Sequence, residues 1–195
     1  MESKKLIGID VSHWNPNNRI QSDIDFCICK ASEGMTYGDK TFNEKLDRCK
    51  ALGIDLVGAY HYAKTSNSPD NDAVNFLRRV QARPELGNNM LLALDLEGED
   101  IKRPNAYEWA RRWLELVRAE TGISPLLYIS ASYTKNCKAI AEEDFGLWVA
   151  HWNVEKPKIS AWKFWAVWQN EVRDNLDRDI FNGTKEQYLK YCRRN

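Results

Sequence analysis

The sequence predicts a single-domain α/β protein, with its strands wrapped into a closed or nearly closed TIM-like β/α barrel. Three observations predict it. Strand-like and helix-like stretches alternate along most of the chain, as in parallel β/α units. Seven or eight strands in one domain point to closure. The length of 195 residues gives a full core but falls short of the ~250 residues of a regular eightfold barrel, so some helices should be missing or shrunken.

The elements follow in chain order. A first strand is expected at 6–10, and 12–20 reads as a loop. A second strand is expected at 24–30. Phe42, Leu46 and Cys49 then repeat at helical spacing, with Gly53 as a stop. A strand at 56–62 precedes the helical stripe Ala73, Leu77 and Val80. The strand at 90–97 is followed by Asn105 and Glu108, which look like a helix N-terminus. Trp109, Trp113 and Val117 line that helix, and Gly122 ends it. Strands at 126–130, 147–152 and 164–169 come next, with 153–161 read as a loop. A last short helix opens at Thr184, with Gln187 three residues later.

Successive strand residues point to opposite faces of a sheet. In Leu91-Leu92-Ala93-Leu94-Asp95-Leu96-Glu97, the leucines at 92, 94 and 96 suit packing against helices. Leu91, Ala93, Asp95 and Glu97 share the other face, which turns acidic at its C-terminal end. Other strands give concordant series: Leu6, Gly8 and Asp10; Ile24, Phe26, Ile28 and Lys30; Leu56, Gly58, Tyr60 and Tyr62. Leu126, Tyr128 and Ser130, then Trp148, Ala150 and Trp152, then Trp165, Val167 and Gln169 continue the pattern. If each series faces inward, acids and aromatics converge at the C-terminal mouth, where barrel enzymes keep their active sites. One such strand could end in polar residues by chance; six together point to a cleft.

Lys+Arg and Asp+Glu are 28 each, a formal net charge of zero. Nothing asks for a nucleic acid or an anionic membrane as partner, and no obligate protein partner is evident. No apolar leader or membrane-spanning run is seen, so synthesis in the cytoplasm without a signal peptide is expected, with any action outside a cell following release. The five cysteines contain no Cys-x-x-Cys. Cys27 and Cys29 share a strand face, but no second ligand pair completes a zinc site, and all five read as buried free thiols.

An acidic, aromatic-lined cleft suits an uncharged sugar polymer. Rings stack on sugar faces, and glycosidases use paired carboxyl groups. Asp95 and Glu97 are two residues apart on one strand, about 6.5 Å between Cα atoms, so their repulsion should raise one pKa. Glu97 reaches further toward the mouth and is the expected proton donor; Asp95, deeper, is placed to hold positive charge near the anomeric carbon. Tyr62 and Trp152 are the better sugar platforms, while Tyr60 and Tyr128 could equally be packed rim residues. Lys30 could pair with a carboxylate or touch substrate. A metal-dependent hydrolase built on His13, His61 and His151 is a competing reading. Parity turns His61 and His151 away from the acids, so no metal is expected. A catalytically silent sugar-binding barrel is a third reading, though a binder needs no proton donor.

Taken in order, the motifs resemble family 25 glycoside hydrolases, the Chalaropsis-type lysozymes. They are Gly8-Ile9-Asp10-Val11-Ser12-His13-Trp14, Lys30-Ala31-Ser32-Glu33-Gly34, Gly58-Ala59-Tyr60-His61-Tyr62-Ala63, Leu94-Asp95-Leu96-Glu97, Leu147-Trp148-Val149-Ala150, Trp168-Gln169 and Asp177-Arg178-Asp179-Ile180-Phe181-Asn182-Gly183. The resemblance implies an irregular, flattened barrel over 1–195 with no separate wall-binding domain. It implies cleavage of the β-1,4 bond between N-acetylmuramic acid and N-acetylglucosamine in bacterial peptidoglycan, without a cofactor, as in phage endolysins and autolysins. It maps the catalytic set to Glu97, Asp95, Asp10 and Asp177. Glu33, Tyr60, Tyr62, Tyr128, Trp152 and Gln169 are the substrate-binding candidates. The late motif departs from the family's Val-Asp-x-Asn-x-Phe: Leu176 stands for Val, and Asp179 for Asn. The register set by Phe181 favours Asp177 as the cleft aspartate.

Overall fold

The computed structural model describes residues 5–84 and 90–193; residues 1–4, where the reading of the N-terminus begins, lie outside them. Eight strands close a barrel. In barrel order they are β1 (Leu6–Val11), β2 (Phe26–Glu33), β4 (Leu56–Tyr62), β5 (Met90–Asp95), β6 (Leu126–Ser130), β7 (Gly146–Ala150), β8 (Val167–Arg173) and β9 (Leu176–Phe181), with β9 returning to β1. A two-residue strand, β3 (Tyr37–Gly38), pairs with the end of β2 outside the ring.

The ring is not all-parallel. The other seven ring strands run parallel to their neighbours, but β9 is antiparallel to both β8 and β1. The hairpin joining β8 to β9 turns on Asp174 and Asn175, both left-handed at φ 54° and 57°. Two such residues make the turn whose twist matches a strand pair. The strand expected at 164–169 therefore starts later and runs further, to Arg173.

Parity sorts the side chains into two layers. Phe26, Ile28, Leu56, Leu91, Ala93, Leu126, Trp148 and Val167 fill the barrel interior. Ile9, Cys27, Val57, Leu92, Leu94, Leu127 and Val149 pack outward against the helices. Two expectations are corrected. Ile24 belongs to the outer layer, because the chain turns at Asp25, whose carboxylate accepts from the Ile7 N–H at 2.9 Å, before β2 begins. Trp165 is also outside, packed on Trp168 at 5.7 Å; it precedes β8, so strand alternation does not govern it.

Four helices cover the outside. They are α1 (Phe42–Ala51), α2 (Pro69–Gln81), α3 (Ala106–Thr121) and the single-turn α4 (Lys138–Glu142). In α3, Trp109, Trp113 and Val117 are buried as their spacing demands, and Gly122 stops the helix at φ 73°. Asn105 sits at its N-cap position but makes no side-chain cap bond, and Glu108 pairs with Arg111 at 2.7 Å instead. No helix follows β7, as the loop reading of 153–161 anticipated.

The last helix, α5 (Lys185–Tyr191), closes the barrel floor. Thr184 and Gln187 form a reciprocal capping box at its start. Tyr188 enters the barrel against Phe26 and Phe181, with its hydroxyl donating to the Val57 carbonyl at 3.1 Å. Gly8 leaves room for this packing, since a Cβ there would fall 2.5 Å from the Phe26 ring.

Candidate active site

The opposite end of the barrel is open and polar. A cavity of about 260 Å³ is lined by Asp10, Asp95, Glu97 and Asp177 with Tyr60, Tyr128, Trp148, Trp152, Gln169 and Val172. Asp10 comes from β1 and Asp95 from the last position of β5. Glu97 lies two residues past Asp95, after the Leu96 N–H has extended the β6 pairing by donating to the Tyr128 carbonyl at 3.1 Å. Asp177 stands opposite Asp10 across the β1–β9 ladder. A larger cavity of about 730 Å³ lies at the other end of the barrel, around Trp162, Trp165 and Tyr191, away from these four acids.

A hydrogen-bonded relay fixes one wall. The Gln169 amide oxygen accepts from the Tyr128 hydroxyl at 3.0 Å and the Trp152 indole at 2.9 Å. Its amide nitrogen then donates to Asp10 Oδ2 at 2.8 Å. With its oxygen engaged by two donors, Gln169 must present N–H to Asp10.

The acids crowd each other in a site removed from water. Burial, then the Glu97 charge, pushes Asp95 well above the ordinary carboxylate range, partly offset by Lys30. Burial, then Asp177, raises Glu97, with Lys30 and a Tyr128 hydrogen bond opposing. Asp10 is raised well above its usual value by burial and by Asp179 and Asp177, and Asp177 is raised by burial. Anions this close are costly, so the group retains protons at a pH where free carboxylates have lost them. Glu97 is only partly buried while Asp95 is buried, so Glu97 is the acid that a bound molecule reaches first. Asp95 Oδ1 is buried and receives no hydrogen bond from the described residues.

Eight of the ten expected site residues line this cavity: Asp10, Tyr60, Asp95, Glu97, Tyr128, Trp152, Gln169 and Asp177. Glu33 and Tyr62 do not. Glu33 takes ion pairs from Lys30 at 2.7 Å and Lys64 at 3.2 Å, and both ammonium groups sit over the Tyr62 ring, at 4.6 and 4.7 Å from its centre. The pair thus forms a charged aromatic buttress beside the mouth, and Lys30 takes the ion-pair role.

Asp177 and Asp179 also separate. Asp177 lines the cavity, whereas Asp179 is fully buried beneath it, accepting from the Trp148 indole at 2.8 Å. Trp148 stood in the inward series without being singled out for the site. Val172 lies on the part of β8 that the strand signal did not reach. The histidines are dispersed. His61 is buried between Ser32 and Asp72 and stacks on Trp113; His13 contacts Asp39; His151 accepts from the Lys158 N–H.

Comparison with known proteins agrees with this architecture. Residues 9–177 match the model of the glycosyl hydrolases family 25. The YegX protein of Escherichia coli strain K12 is 30% identical over 95% of this chain and 72% of its own length. The N,O-diacetylmuramidase of Arthroderma benhamiae is 26% identical over 95% of this chain and 86% of its own. Among solved structures, the bacterial lysozyme from Streptomyces coelicolor superposes with a TM-score of 0.79 at 25% identity, covering 97% of this chain and 98% of that one. A family GH25 lysozyme from Aspergillus fumigatus gives 0.80 at 24% identity, covering 97% and 100%. From its barrel, its ordered motifs and its acid-lined mouth, the chain belongs to glycosyl hydrolase family 25 and is a peptidoglycan-hydrolysing glycosidase.

Proposed function

We propose that the enzyme is an N-acetylmuramidase that cleaves the β-1,4 bond from N-acetylmuramic acid to N-acetylglucosamine, with Glu97 as proton donor and Asp95 as its charged partner. The observation that carries this reading is the Asp95–Glu97 pair at the end of β5, raised together in one cavity with the more accessible Glu97 outermost.

The reaction follows from that arrangement. Glu97 gives its proton to the leaving glycosidic oxygen as the bond to the anomeric carbon breaks. The neighbouring N-acetyl carbonyl oxygen attacks that carbon, forming a positively charged ring. The acetamido N–H donates to the unpartnered Oδ1 of Asp95, stabilising the Asp95 anion when positive charge develops beside it. Substrate binding thereby favours the ionised form of the deeper Asp95 and leaves Glu97 as the acid. Glu97, now ionised, takes a proton from the water that opens the ring, and configuration is retained. The close spacing of the pair leaves little room for a water between them, which disfavours direct inversion. Asp10 and Asp177 hold the far wall, with Asp10 oriented by Gln169. The enzyme works on the bacterial wall, reached after release from the cytoplasm.

The test is a digest of purified peptidoglycan, reduced with borohydride and read by mass spectrometry. New muramitol ends are expected from the wild type. Glu97→Gln should lower the rate by ~10²–10⁴-fold, the usual worth of a general acid. New glucosaminitol ends would reassign the bond, and an unaffected Glu97→Gln would remove Glu97 from the mechanism.

A further inference from the structure

Cys49 stands on a different element from Cys27 and Cys29, yet the fold brings the three together. Cys27 and Cys29 leave the outer face of β2, and Cys49 meets them from the last turn of α1. The Cys27 and Cys29 sulfurs are 3.7 Å apart, and all three sulfurs lie within 4.8 Å of one another. All three are fully buried. An equilateral triangle of edge 3.7 to 4.8 Å, the recorded Cys27–Cys29 distance and the outer limit for the three sulfurs, has its centre ~2.1–2.8 Å from each corner, which brackets the ~2.3 Å of a zinc–thiolate bond. No backbone movement is needed to bring the sulfurs to a common ion.

We propose that Cys27, Cys29 and Cys49 form a buried three-thiolate site for a soft divalent cation of the zinc and cadmium class. The donor set is all sulfur, which selects against magnesium and calcium. The charge of the ion follows from Lys45, one turn before Cys49 on α1. Lys45 is 1% exposed, anchored to the Asn15 carbonyl at 2.6 Å and Asn17 Oδ1 at 3.3 Å, and its charge acts on Cys29 and Cys49. Three thiolates around a divalent ion leave one negative charge, which the Lys45 ammonium offsets; a monovalent ion would leave two. The sulfurs also sit by the C-terminal turn of α1, whose carbonyl end favours a cation. Loading displaces the thiol protons to solvent and ties α1 to β2, the strand that carries Lys30 and Glu33.

The experiment is equilibrium dialysis of the reduced full chain against cadmium chloride. Bound metal is counted by mass spectrometry, and the cadmium–thiolate charge-transfer band is recorded. One cadmium per chain with a three-thiolate band is expected in the wild type and in Cys137→Ala. At least a tenfold loss of affinity is expected in Cys49→Ala, which keeps the site apolar. The wild-type band decides even if that variant folds poorly. No band in the reduced wild type would overturn the proposal, as would a band that Cys49→Ala leaves unchanged. A disulfide between Cys49 and either partner, persisting under reductant as a mass deficit, would overturn it too.

Discussion

At the scale of single residues, the least expected feature is Asp179. It is fully buried; its Oδ1 is held by Trp148, while among the described residues none donates to Oδ2. Its carboxyl contacts that of Asp10, and such a contact becomes a hydrogen bond only when one of the two carries a proton. Burial pushes Asp179 up to about 7, with Asp177 adding to it and the Asp10 and Trp148 hydrogen bonds opposing. Asp95 at the end of β5, Glu97 just beyond it, Tyr60 on β4 and Tyr128 on β6 are the other titratable groups that line the cavity with Asp10 and Asp177. Because the folded state holds this proton above the unfolded value, the group's contribution to stability is fully present below the ordinary carboxylate range and is lost as pH rises through about 7. Asp179→Asn keeps an acceptor for Trp148 and supplies an N–H toward Asp10. Thermal unfolding at about pH 5 and about pH 8 should therefore show a smaller fall in the variant than in the wild type. Equal falls would mean that no proton is shared. Asp10, Asp95 and Glu97 were legible because strand parity and the ordered motifs converge on them, and Asp177 through the late motif and the register of Phe181. That Asp179 lies under the site depended on the β1–β9 register, which pairs Asp10 with Asp177 and Gly8 with Asp179.

At the scale of elements, hydrophobic spacing located α1, α2, α3 and most strands, since each buries one stripe or one face, while the cap residues marked α5 and the single turn of α4 was not foreseen. Spacing failed where alternation stops, at Ile24 and Trp165, and where a hairpin replaces a β/α unit. The β8–β9 hairpin turns on Asp174-Asn175, residues whose short polar side chains tolerate a left-handed backbone better than most. That dipeptide was the available signal. It also makes the hairpin testable. Asn175→Gly should be neutral or stabilising by up to ~1 kcal/mol, whereas Asn175→Val should cost ~1–2 kcal/mol, read from urea unfolding midpoints. If both variants match the wild type, the turn is not held in the left-handed region. The hairpin carries Gln169, Val172 and Asp177 into the cavity, so the valine variant should also lose activity.

At the scale of the whole molecule, the two ends of the barrel do different work. The mouth collects polar groups that repel one another, so its arrangement must be held by apolar packing elsewhere. The floor supplies this through α5, which inserts Tyr188 among Phe26 and Phe181 and ties its hydroxyl to β4 at Val57. Phe26 lies on β2, two positions before Ile28 and four before Lys30, while Phe181 lies on β9, two positions beyond Asp179. One side chain thus joins strands whose other ends carry site residues. Tyr188→Phe removes a single buried hydrogen bond and should cost ~1–3 kcal/mol because the Val57 carbonyl loses its donor. Tyr188→Ala opens a cavity in the floor and should cost ~3–5 kcal/mol. If the floor serves chiefly as a brace, the phenylalanine variant should digest peptidoglycan at close to the wild-type rate once the folded fraction is matched. The alanine variant should lose activity at temperatures below its unfolding midpoint, as the strands bearing Lys30 and Asp179 shift. Full activity in folded Tyr188→Ala would show that the mouth keeps its geometry without the plug.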